Sequence, residues 1–282
     1  MTTLAAPAPT SSGSAGRRSA GSPLRFARDT RLLTGRSLRA IPRVPERLLD
    51  VTVQPVIFIL LFLYVFGSAI HVPGISYKSY LFPGIIGQGL AFAVISAGTA
   101  TATDMSEGVI DRFRSLPVNR LAIITGEVMG QFCEQVLGMC IYIAFGIALG
   151  WRPDVTVAGG LELAGLLALG MFAFIWAGVL FGLLIRSPDA VQGLGFIVIL
   201  PLTFMAGTFV PIHGMDAVPR AVAEWDPVSA FVASTRSLTT HMHSSGSLQL
   251  DHPQLAMIGW SLLLLAICVP IALRRFNRTT AA

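Results

Sequence analysis

Residues 157–185 read VAGGLELAGLLALGMFAFIWAGVLFGLLI, a run whose one charged side chain is Glu162. A helix rises about 1.5 Å per residue, so about 20 apolar residues cross the hydrocarbon of a bilayer, and this run does so with a turn or two to spare. Its apolar residues are continuous and not spaced as the 3.6-residue stripe that would face a soluble core. Only helices and closed barrels satisfy their backbone groups in lipid. The fold class that follows is all-α and polytopic in a membrane. Outward from this run, five more stretches qualify, giving six expected spans at about 51–70, 81–103, 121–149, 157–185, 190–211 and 253–273. The composition agrees: 53% of the 282 residues are hydrophobic, 12% are charged, and the mean hydropathy is +0.69. With no repeat of 20–50 residues and no separate soluble domain, the expected organisation is a tail over 1–22 and one transmembrane domain over 23–282.

The position of the charges sets the expected topology. With six spans and a cytoplasmic N-terminus, the inner segments hold nine Arg before the first span, Arg112, Arg114 and Arg120 between spans two and three, Arg186, and three Arg after the last span. Only Lys78, Arg152, Arg220 and Arg236 fall outside, as the positive-inside rule requires, so both termini are expected in the cytoplasm. The formal charge of +5 does not indicate a nucleic-acid partner, because the arginines flank apolar runs and form no basic surface interleaved with aromatics.

Residues 1–22 are Ala, Ser, Thr, Gly and Pro with Arg17 and Arg18, too small and polar to bury a core, and read as a disordered cytoplasmic tail. No signal peptide is recognisable. In LRFARDTRLLTGRSLRAI, residues 24–41, Arg25, Arg28, Arg31, Arg36 and Arg39 fall within an arc of about 140° at helical spacing, opposite Phe26, Leu33, Leu38 and Ile41. Such a helix lies flat on an anionic inner leaflet, and membrane lipid is therefore an expected partner. Pro42 and Pro45 end it.

Metal and enzyme chemistry finds little footing. Cys133, Cys140 and Cys268 lie inside expected spans without a CxxC pair, and His241-Met-His243 has no carboxylate or Cys at ligand spacing, so no metal site is expected. HExxH and GxSxG are absent, and the single Lys, Lys78, follows Tyr77, which excludes a GxxxxGK[ST] phosphate loop. No catalytic residue is therefore assigned. Gly178-x-x-x-Gly182 and Gly193-x-Gly195 fit close helix packing better than phosphate binding.

Between spans two and three the sequence reads EGVIDRFRSLPV, residues 107–118, the densest interior charge in the chain. With Asp104 or Ser106 as cap and Pro117 as terminator, a short helix over 106–117 would carry Val109, Phe113 and Leu116 on one face and Glu107, Asp111 and Arg114 on another. Too short to be stable alone, it suits docking in a groove on another protein; the plain alternative is a solvated loop.

EGVIDRFRSLPV, preceded by Thr103-Asp104, resembles the cytoplasmic coupling segment of ABC type-2 exporter permeases, particularly the daunorubicin/doxorubicin-resistance branch. AGTFVPIHGMDAVPRAVAEWDPVSAFVASTRSL, residues 206–238, is similar to that family's external segment, with Asp226-Pro227-Val228 at the usual Asn-Pro place. The resemblance implies a permease without its own cofactor that pairs with a second permease copy, identical or related. Two separate P-loop ATPase subunits would use ATP and Mg, gripping a coupling set of Glu107, Gly108, Asp111, Arg112, Phe113, Arg114, Leu116 and Pro117. It further implies a multi-pass protein of the bacterial inner membrane.

Two other sets complete the candidates. Glu127, Gln131 and Glu134 share one face of span three at i, i+4 and i+7; they could line a cation-attracting pathway or hydrogen-bond to neighbouring helices. Pro219 and Pro227 are expected to begin two short helices, external and re-entrant. Their apolar residues Val222, Trp225, Val228, Phe231 and Val232 suit partial insertion in the outer leaflet, and Pro219, Trp225, Asp226, Pro227 and Phe231 are read as a lid. The expected function is export of an amphipathic drug, lipid or lipid-linked metabolite. The alternatives are export of polysaccharide or another envelope precursor, and, in a different class, an integral membrane enzyme.

Overall fold

The computed structural model describes residues 53, 56–67, 69–70, 72, 74–108, 120–185, 187–242 and 247–279. The tail, the flat helix with Arg25, Arg28, Arg31, Arg36 and Arg39, and residues 109–119 lie outside the described residues. Nine helices carry the description: α1 (Val56–Phe66), α2 (Tyr77–Ser106), α3 (Arg120–Ala148), α4 (Val157–Ile185), α5 (Pro188–Met205), α6 (Ala217–Trp225), α7 (Pro227–Thr240), α8 (Leu248–Asp251) and α9 (Pro253–Thr279). The described residues contain no strand. Five helices, α2, α3, α4, α5 and α9, are long and apolar enough to cross a membrane. The first expected span, 51–70, is represented by the shorter α1, whose residues Leu61–Phe66 are wound as a π-helix.

Local chemistry sets several boundaries. The Ser76 hydroxyl caps α2 by accepting from the Ser79 amide at 3.2 Å, and the Ser187 hydroxyl accepts from Ala190 ahead of Pro188, opening α5. Span five, expected over 190–211, is helical only to Met205. Gly207 takes φ +70°, a left-handed turn that glycine adopts without strain, and Phe209 folds back to stack on Phe62 with centroids 3.9 Å apart. Phe58 and Phe204 join the same cluster, which ties α1 to the exit of α5.

The core lies between α2 and α4, which pack on each other most extensively; α9 and α3 lie against α4, while α5 and α7 lie against α2. Backbones meet where glycines allow it. A Cβ on Gly178 would strike the Val94 carbonyl oxygen, and one on Gly182 would strike that of Gly98. The small-x-x-x-small pattern of α4 is therefore the seam against α2. Gly195 fits only partly the reading of its pair: it faces Ile95, whereas Gly193 has open space beside it.

Candidate functional site

The segment after α5 builds an enclosed polar structure. Asp226 ends α6 and caps α7: its Oδ1 accepts the Val228 amide at 3.0 Å, and Pro227 takes the first helical position. The Asp226 carbonyl accepts from Gln249 Nε2 at 2.7 Å, and Gln249 Oε1 accepts from the indole N–H of Trp260 on α9 at 2.9 Å. Asp226 is 3% exposed and lies outside the five spans. Burial pushes its carboxyl up to about 7, against the Val228 and Ser229 hydrogen bonds that favour the charged form.

The two short helices behave differently. On α6, Val218, Val222 and Trp225 form an exposed apolar face at i, i+4 and i+7, while Ala223 is buried. Such a face has the composition of a helix at a membrane interface. On α7, the expected leaflet insertion of Val228, Phe231 and Val232 gives way to burial. The Phe231 ring sits against Gly170 where a Cβ would stand and packs on Phe174 at a centroid distance of 5.0 Å, and Val232 lies against Gly87. The physical reason is that the glycines of α2 and α4 open slots that take these side chains. Pro219 falls in the first turn of α6, which begins at Ala217, and Pro227 begins α7 as expected.

One residue of this region carries no role in the sequence reading beyond counting as an outer charge. Arg236 is 3% exposed on α7. Its Nη2 donates to the carbonyls of Tyr80 (3.2 Å) and Gly207 (3.0 Å), and its guanidinium carbon stands 3.6 Å from the centroid of the Tyr80 ring. The Tyr80 hydroxyl donates to the same Gly207 oxygen at 2.7 Å.

At the opposite end of α2, Ser106 and Glu107 differ from the expected start of a new helix. Ser106 is the last residue of α2, its hydroxyl donating back to Thr103 O, and Glu107 is the C-cap. Asp104 lies within α2. Gly108 at φ +65° turns the chain out of the helix. A helix-capping role for Asp104 or Ser106 is thereby corrected: both belong to a span that runs past residue 103. Asp111, Arg112, Phe113, Arg114, Leu116 and Pro117 lie outside the described residues.

On α3, Gln131 and Glu134 are buried and Glu127 half-buried, with Gln135 adding a fourth polar residue to the expected three. Glu127 and Glu134 both have partners. Among the described residues no group of His, Cys, Asp and Glu could hold a metal ion.

Residues 28–239 match the family described as ABC-2 type transporter. The chain is 30% identical to a daunorubicin resistance ABC transporter permease of Streptomyces coeruleorubidus, over 72% of each chain. It is 28% identical to a doxorubicin resistance ABC transporter permease of Mycobacterium tuberculosis, over 70% of this chain and 69% of that one. An inner membrane transport permease of Escherichia coli is 24% identical over 69% of this chain and 50% of its own. All three relatives are named as transport components and none as an enzyme.

Proposed function

Since the chain belongs to the ABC-2 type transporter family, we propose that it is the membrane-spanning subunit of an exporter for an amphipathic drug, lipid or lipid-linked metabolite. The family match over 28–239 is the observation that carries the reading. That two relatives are named for daunorubicin and doxorubicin resistance favours a drug-like substrate. Energy comes from a separate P-loop ATPase pair that uses ATP and Mg, and a second permease copy completes the membrane unit.

In this reading the 107 end of α2 faces the cytoplasm of a bacterial inner membrane, consistent with the arginine distribution, and α6 and α7 face outside. The ATPase grips the segment around Phe113, and α2, about 45 Å long at 1.5 Å per residue, carries the movement from there to the region of α7. Glu127, Gln131 and Glu134, with Gln135, form a polar face that attracts a cationic substrate. Trp225 and its neighbours on α6 rest in the outer leaflet, and Asp226, Pro227 and Phe231 hold α7 as a plug over the exit.

The test is copurification and transport. The tagged chain, isolated from its native cells, is expected to bring down a P-loop ATPase. Inverted vesicles containing both are expected to accumulate daunorubicin only when ATP and Mg are present. Absence of any ATPase, or accumulation independent of ATP, overturns the proposal.

A further inference from the structure

Arg236 is a buried cation held, among the described residues, without a carboxylate. Its contacts are two backbone carbonyls and one aromatic face, and they come from two other segments, the first turn of α2 and the turn that leaves α5. Charge-assisted hydrogen bonds are stronger than neutral ones, and a desolvated cation–π contact is stronger than an exposed one. All of that compensation is lost together if α7, α2 and the 206–209 turn separate. The Gly207 carbonyl is the shared point, accepting from Arg236 Nη2 and from the Tyr80 hydroxyl.

The acceptor on α2 lies just ahead of Pro83, which has no N–H to offer Ser79 and so weakens the helix at that turn. The first turn of α2 therefore depends on bonds from outside the helix: Arg236 on the Tyr80 carbonyl, together with the Tyr77 hydroxyl on Phe209 O and Lys78 Nζ on Leu149 O. Parted from its acceptors but still dry, the guanidinium would be an uncompensated buried charge; parted and wetted, it is solvated. The arrangement disfavours half-open states and leaves two, closed and dry or open and wet.

We infer that Arg236 is a positioning residue that latches α7 across the seam between α2 and the α5 exit, holding that end of the permease shut until the transport cycle parts the seam. The inference rests on the proposed exporter function and on the outward orientation of α6 and α7.

The experiment uses the full chain in intact cells, with Cys133, Cys140 and Cys268 replaced by Ala and one reporter cysteine read by a membrane-impermeant maleimide. Thr208→Cys is the reporter: Thr208 is fully buried in the seam turn, and its hydroxyl has no hydrogen-bond partner to lose. Val157→Cys, at a residue 86% exposed at the same end, reports the orientation by itself. Thr101→Cys, buried toward the other end of α2 and probed after permeabilisation, reports general loosening.

Arg236→Gln is expected to speed labelling at 208 at least about tenfold, the factor that one charge-assisted hydrogen bond is worth. Arg236→Lys, which keeps the charge but not the planar fork, is expected to restore part of the protection. Tyr80→Leu, which removes the ring and its hydroxyl, is expected to speed labelling as well. Labelling at 208 unchanged in Arg236→Gln and Tyr80→Leu overturns the latch, as does equal acceleration at 101 and 208. If Val157→Cys is not labelled from outside, the orientation fails instead, and the same comparison at 208 made in inverted vesicles decides the latch.

Discussion

Alanine substitution at two glycines of α4 should differ in outcome, destabilising at one and neutral to stabilising at the other, and the difference is fixed by what each glycine touches. At Gly178 a Cβ would strike the Val94 carbonyl oxygen and stand 2.9 Å from the Ala97 Cβ. These are mostly backbone atoms, which cannot rotate away as a side chain does, so α2 and α4 must part. Overpacking of this kind costs about 1–3 kcal/mol. At Gly165, in the same helix, nothing lies within 4 Å of the added Cβ. There Gly165→Ala gains up to about 1 kcal/mol from helix propensity and a less free unfolded chain. At about 2–4 °C per kcal/mol for a domain of this size, Gly178→Ala should lower the midpoint by several degrees and Gly165→Ala should leave it level or raise it slightly. Size-exclusion thermostability of the detergent-solubilised protein measures both. The double variant Gly178→Ala/Gly182→Ala should lose less than the two single losses together, because helices already parted at one contact meet the second Cβ more loosely. Equal shifts for Gly165→Ala and Gly178→Ala would refute the seam.

Asp226→Asn should remove a pH dependence. Burial pushes the folded carboxyl up to about 7 against about 3.9 unfolded, so its protonated form favours the fold: the contribution of Asp226 to stability is fullest below about pH 4 and declines as pH rises to about 7. The Asn variant should gain on wild type across that interval, and a thermal midpoint difference that stays constant from pH 4 to 7 would sink the assignment. Lys78 is the single lysine and is exposed, with Nζ donating to Leu149 O at 3.1 Å; an impermeant amine reagent should modify it in intact cells, and modification only after permeabilisation would reverse the topology. Phe113→Ala should reduce copurified ATPase, since full burial of such a side chain contributes about 2–3 kcal/mol; undiminished copurification would return residues 107–118 to a plain loop.

What the sequence revealed and what it concealed follow from one property, whether a side chain's environment is announced by its own chemistry. Spans such as 157–185 were legible because a long apolar run has one stable fate in water and lipid, and Gly178 and Gly182 because their spacing matches a helical face. The burial of α7 was not legible. PVSAFVASTRSLTT looks half polar, yet Ser229, Ser234, Thr235, Ser237 and Thr239 are all buried. Several of their hydroxyls bond to their own helix: Thr235 to Phe231 O at 2.8 Å, Thr239 to Thr235 O at 2.7 Å, Ser237 to Ser234 O at 2.9 Å. With Thr235, Ser237 and Thr239 bonded within the helix, and every one of the five small, the face allows close packing. Arg236 among them was counted as an outer charge. Its signal was its setting, a lone cation ringed by small residues, which leaves room for neighbouring backbone to approach it.

The packing of α2 makes it a stiff element between its two ends. From Gly84 onward its backbone is in contact with other segments: Gly84 with Thr208, Gly87 with Val232, Val94 and Gly98 with the glycines of α4. A helix gripped backbone to backbone along that length cannot bend locally without opening a seam, so it moves as one piece. The exception is the turn ahead of Pro83, where a hydrogen bond is missing and Arg236, with the Tyr77 and Lys78 side chains, supplies the restraint across to other segments. Displacement applied beyond Gly108 would therefore travel along a stiff rod and meet its first compliant point at Tyr80, beneath the guanidinium. That places a polar junction shared by three segments at the far end of the helix from the segment proposed to meet the ATPase.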